Sequence, residues 1–77
     1  MTALTVISPK KMASLLCKLG FTLDRQRGSH AYYKHDDGRS VVVPMHAGED
    51  LGKGIIREIL KSIDLTIEEY DSLRRGI

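Results

Sequence analysis

Between Phe21 and Val43 the side chains alternate on a period of two, and turn chemistry cuts that stretch twice, which constrains the middle of this chain more than any other feature. Phe21 and Leu23 alternate with Thr22 and Asp24, and then Arg25-Gln26-Arg27-Gly28-Ser29 breaks the alternation with polar residues and a glycine. Residues 30–35 and 39–43 are rich in tyrosine and valine, which suit a pleated, half-buried surface, and Asp36-Asp37-Gly38 between them is a hairpin signal. The pattern predicts a three-stranded antiparallel meander. With Asp36 to Gly38 as the loop, Tyr33 pairs with Val41 and Ala31 with Val43 on one face, leaving His30, Tyr32 and Lys34 on the other.

On either side the period lengthens to that of a helix. Ser8-Pro9 reads as an N-cap and first helical residue; Met12, Leu15, Leu16 and Leu19 recur at i, i+3, i+4 and i+7, and Gly20 follows as a stop, giving a helix over 9–19. Cys17 lies off that apolar stripe. Pro44 closes the third strand, and residues 45–50 lead to a second helix with Ile55, Ile56, Ile59, Leu60 and Ile63 as its buried stripe. Lys53, Arg57 and Lys61, four apart, form a separate cationic stripe on the same helix. Thr66-Ile67-Glu68-Glu69 is a capping box, with Leu65 and Tyr70 as its staple, and opens a short third helix. Each helix has one apolar stripe and the sheet one apolar face, so the expectation is an α+β fold with both long helices on one side of the sheet and the other side free.

A chain of 77 residues makes one small domain, taken as 1–77, and its 42% apolar and 29% charged content is that of a folded globular protein. No apolar run approaches the roughly 20 residues of a membrane span, and no signal-peptide pattern is present, so the expected location is the cytoplasm, without a membrane partner. A single cysteine, Cys17, agrees with a reducing compartment. The net charge of +2 is unevenly spread: residues 1–48 hold seven Lys/Arg against three Asp/Glu, and residues 49–77 hold five against seven. A polyanion is therefore expected at the first half.

His30 starts the middle strand just after a glycine-bearing turn, where a side chain is held firmly yet reaches solvent. Histidine ordinarily exchanges a proton near neutrality, which suits RNA cleavage, because RNA supplies its own nucleophile in the 2′-hydroxyl. Gly28 allows close backbone approach to a phosphate, Ser29 can hold its oxygens, and Arg25, Arg27 and Lys34 can offset the charge that develops. On residue chemistry alone, however, a histidine beside a turn is more often a surface or structural residue. The spacing of His30, His35 and His46 matches no compact zinc pattern, and no phosphate loop, Ser/His/Asp set or dinucleotide fingerprint occurs, so no metal and no small-molecule cofactor is called for. Tyr32 can stack on a base if its face is open, while Lys53, Arg57 and Lys61 are a solvated face or a phosphate-binding one.

Five blocks carry a resemblance. Leu19-Gly20-Phe21, Arg27-Gly28-Ser29-His30, His35-Asp36-Asp37-Gly38-Arg39, Val43-Pro44-Met45-His46 and Lys53-Gly54 occur in an order and spacing that closely resembles the HicA toxin family over nearly the whole chain. The resemblance implies a fold similar to the double-stranded-RNA-binding domain, ribonuclease activity on single-stranded messenger RNA, and inhibition by a HicB-type antitoxin. It implies that His30 is the catalytic histidine, with Gly28 and Ser29 as its turn, and places His46 at a second recurring position among the RNA-binding candidates. Gly54-Ile55-Ile56 departs from a family pattern that often has a hydroxyl residue after the glycine. The alternatives are a non-catalytic RNA-binding module of the same fold and a protein whose open sheet face only docks a partner.

Overall fold

The helix that opens the fold, α1 (Pro9–Lys18), begins where Ser8 accepts the Lys11 amide at 3.1 Å and Pro9 occupies a position that needs no donor. It stops in a Schellman motif: Gly20 adopts φ +94°, its amide donates to Cys17 O, and the Phe21 amide donates to Leu16 O. That reversal delivers Phe21 into the core directly after the helix, and Cys17 is exposed. The computed structural model describes residues 3–77; Met1 and Thr2, part of the expected 1–77 unit, lie outside the described residues.

Three strands follow, β1 (Thr22–Arg27), β2 (His30–Lys34) and β3 (Ser40–Pro44), paired antiparallel in the order β1-β2-β3, and then α2 (Lys53–Ser62) and α3 (Ile67–Arg74). The arrangement is the expected α+β one of helix, three-stranded sheet, helix and C-terminal helix. The β2–β3 register is also the expected one, with Tyr33 opposite Val41 and Ala31 opposite Val43. Gly38 at φ +97° completes a three-residue loop closed by the His35 amide on Arg39 O at 2.9 Å.

The core lies between the sheet and the two long helices. Met12, Leu15 and Leu16 of α1 and Ile56, Ile59 and Leu60 of α2 join Ala31, Tyr33, Val41 and Val43 in one buried cluster. The expected α2 stripe needs one correction, because Ile55 is 42% exposed. At 100° per residue Ile55 stands beside the stripe rather than on it, and α2 rests on β3 at the margin of the sheet, so nothing covers that flank. The helix α2 also ends in a Schellman motif, here with Asp64 in the left-handed conformation at φ +58°.

The capping box of α3 is present: Thr66 Oγ1 accepts the Glu69 amide at 3.1 Å and Glu69 Oε1 accepts the Thr66 amide at 2.9 Å. The Thr66 amide, followed by its hydroxyl, holds the Glu69 carboxyl below its ordinary range. Tyr70 is wholly buried, and its hydroxyl donates to Thr5 O, tying α3 to the segment that precedes α1.

Candidate functional site

Phe21, Leu23, Arg25 and Arg27 all sit at odd positions, and in an uninterrupted strand the last three would share one face. They do not. The register slips between Leu23 and Arg25, so that Leu23 pairs with Tyr33 on the helix-facing side, where at the sheet edge it stays 52% exposed, while Arg25 pairs with Tyr32 and Arg27 with His30 on the other. Asp24 is the extra residue of a β-bulge, and it swaps the faces of the strand at the point where the sequence changes from apolar to cationic. This corrects the sequence reading, which ended the first strand at Asp24 and made a turn of residues 25–29. The strand runs to Arg27, and the turn is Gly28-Ser29 alone.

Registers on both sides of β2 define three rows across the uncovered face. The first is Arg27, His30 and Pro44; the second Arg25, Tyr32 and Val42; the third Thr22, Lys34 and Ser40. Four of the sequence candidates, Arg25, Arg27, His30 and Lys34, are therefore brought onto one surface, and all four are exposed. His30 has no side-chain hydrogen bond to the described residues, which leaves both ring nitrogens available to a ligand. The Arg25 guanidinium lies 4.8 Å from the centroid of the half-buried Tyr32 ring, a cation–π pair. Asp24 holds Lys34 at 3.3 Å, an exposed pair of small energetic value.

The tight turn sets where His30 emerges. Gly28, the first central residue, has φ +58°, and no atom lies within 4 Å of where a Cβ would stand. A substitution there meets torsional strain rather than a clash. Gly28→Ala is expected to lower stability by about 1–2 kcal/mol. Urea melts of this variant and the parent check this, and equal midpoints would show that the turn does not require a positive φ at this position.

At the opposite end, the β2–β3 loop is clamped by residues that carry no expected role in chemistry. His35 packs edge-on against Phe21 with ring centroids 5.0 Å apart, and the Arg39 guanidinium sits 5.1 Å over the same ring. Arg39 also donates to Asp37 at 2.8 Å and, through Nη1, to Ile63 O. The Arg39 amide, followed by its guanidinium, holds the Asp37 carboxyl below its ordinary range. This clamp fixes the C-terminal end of α2 beside the start of β3, so the N-terminal end of α2 points back towards the His30 end of the sheet.

The remaining candidates lie elsewhere. Lys53, Arg57 and Lys61 are exposed on α2, in the layer on the other side of the sheet from His30, so the structure does not add them to the open face. His46 is exposed in the loop after β3, where residues 45–50 with Ser8, Pro9 and Lys10 line a cavity of about 670 Å³. It is nonetheless joined to the turn, since the amide of its neighbour Met45 donates to Ser29 O. Val42 and Pro44 complete the open face and were not singled out from the sequence, although counting across the three-residue loop sets Val42 opposite Tyr32. A groove of about 660 Å³ follows β3, lined by Tyr32, Val42, Pro44, Ile55 and Glu58 among others. Among the described residues, no helix is long and apolar enough to cross a membrane.

Compared with known families, residues 9–65 match the family model described as "HicA toxin of bacterial toxin-antitoxin", a span from the start of α1 to the residue before the α3 cap. No curated protein matches the chain.

Proposed function

The chain belongs to the HicA toxin family, the toxin half of a bacterial toxin–antitoxin pair, and from that premise we propose that it is an endoribonuclease that cleaves messenger RNA with His30 as the general acid/base. The observation that carries the proposal is the row Arg27, His30, Pro44 on an uncovered sheet face, followed along the same face by Arg25 and Lys34. In this reading His30 takes the proton of a 2′-hydroxyl, the 2′-oxygen attacks the adjacent phosphorus, and the bond from phosphorus to the 5′-oxygen breaks as that oxygen acquires a proton. Arg27 offsets charge on the phosphate, the Gly28-Ser29 turn lets the backbone approach it, and Arg25 and Lys34 carry positive charge onward. Because the nucleophile belongs to the substrate, the step needs no metal-bound water. A HicB-type antitoxin is the proposed inhibitor, and the cytoplasm, where messenger RNA is found, the proposed site of action.

The test is cleavage of a single-stranded RNA and of a DNA of the same sequence in chelator-treated buffer. RNA is expected to be cut, leaving a 2′,3′-cyclic phosphate and a 5′-hydroxyl, while DNA stays intact because it lacks the nucleophile. Cleavage of both strands, or a dependence on added divalent metal, would overturn this mechanism.

A further inference from the structure

The middle row of the open face differs in kind from the rows that flank it. The flanking rows carry Arg27 with His30 and Lys34 with Thr22, whereas the middle row is Arg25 over Tyr32 with Val42 on the far side of the ring's strand. We infer that the Arg25–Tyr32 pair is a stacking subsite for the base of a nucleotide next to the cleaved phosphate, so that bound RNA runs along β2 from His30 towards Lys34. The inference rests on the RNA-cleavage reading above and adds to it a platform for one neighbouring base.

Four observations support the assignment. Successive rows are roughly 7 Å apart along a strand, about the step of one nucleotide in an extended chain. The half-buried Tyr32 ring backs Arg25 at 4.8 Å, and Arg25 has no carboxylate partner among the described residues, so its guanidinium is positioned without being neutralised. An arginine held against an aromatic ring offers its own delocalised plane to a base, and such planes serve RNA recognition as aromatic rings do. Val42, 41% exposed and opposite Tyr32, extends the platform with apolar surface that a ribose or base can cover. Lys34 is held only by the exposed Asp24 pair at 3.3 Å, which a phosphate of the next nucleotide can displace. Stacking of this kind tolerates many bases, so the subsite fixes the strand and contributes preference through stacking strength.

The test uses the full chain carrying His30→Ala, which binds without cutting. Its affinity is measured for a short oligouridylate and for an oligomer of equal length and charge with abasic riboses around the centre. The base-bearing oligomer is expected to bind about tenfold more tightly. Arg25→Lys, which keeps the charge and loses the plane, and Tyr32→Ala are each expected to collapse that ratio towards unity, whatever happens to overall affinity. Tyr32→Phe, which keeps the ring, should preserve it. Equal affinity for the two oligomers, or a ratio unchanged by Arg25→Lys, would overturn the subsite and leave Arg25 as a phosphate contact or a residue of a protein-docking face. Cleavage by the parent chain is scored on the same oligouridylate. Cleavage without base-dependent binding overturns this inference alone; base-dependent binding without cleavage overturns the nuclease reading alone.

Discussion

His30→Ala is expected to reduce RNA cleavage by about a hundredfold or more, and to abolish the growth arrest caused by expressing the chain, with no change in thermal midpoint. The size follows from what a positioned proton-transfer group contributes, roughly 10² to 10⁴ in rate. The unchanged midpoint follows from the structure: His30 is exposed, bonds to none of the described side chains, and leaves its backbone pairing with Arg27 and Pro44 intact when truncated. The two readouts have to separate for the assignment to stand. A variant that still cuts at the parental rate removes His30 from the mechanism, and one that loses activity together with its melting transition shows a structural histidine.

The second large effect concerns stability and a residue far from that chemistry. Phe21→Ala is expected to cost about 3–5 kcal/mol, the usual range for emptying a buried aromatic site. Against a total of roughly 4–12 kcal/mol for a chain of this length, that is a large part of what holds the fold. The midpoint should fall by about 15 °C or more, given several degrees per kcal/mol in a domain of this size. Phe21 is 1% exposed and is the common surface for His35 and Arg39, so its loss also unseats the β2–β3 loop and the contact from Arg39 to Ile63. Phe21→Leu should keep much of the burial and lose the ring contacts, giving a smaller fall. A decrease of only a few degrees in Phe21→Ala would contradict its place in the core.

Much of this architecture was legible before any coordinates, because local chemistry and tertiary packing agree. Ser8-Pro9, Gly20 and Thr66 with Glu69 begin and end helices through bonds that need only near neighbours, and the loop at 36–38 dictates the register of Val41 and Val43. Two features were not readable, for a shared reason. The slip at Asp24 and the exposure of Ile55 depend on what lies across the sheet or over its margin, which no local period encodes. The change from the buried Phe21 to the exposed Arg25 and Arg27 at the same parity was a clue to the bulge, since one face cannot lead from the core and also carry the open-face arginines. For the candidate site, the sequence placed His30, Tyr32 and Lys34 together by alternation. It could only list Arg25 and Arg27 as neighbours along the chain, and it gave no means of separating Lys53, Arg57 and Lys61, on the far layer, from them.

The slip at Asp24 has a consequence for how such a chain can vary over time. Asp24 contributes one exposed ion pair, so its identity can drift at little cost. Nor does its presence keep the two faces apart: Leu23 and Arg25 pair with the adjacent residues Tyr33 and Tyr32, so loss of position 24 alone would close the bulge into a regular strand with both arginines still on the open face. Descendants of this sequence should tolerate many letters at position 24, and even its loss, whereas a residue lost between Arg25 and Arg27 would make the two arginines successive and so place them on opposite faces, and a gap there marks a lost surface more reliably than one at the bulge.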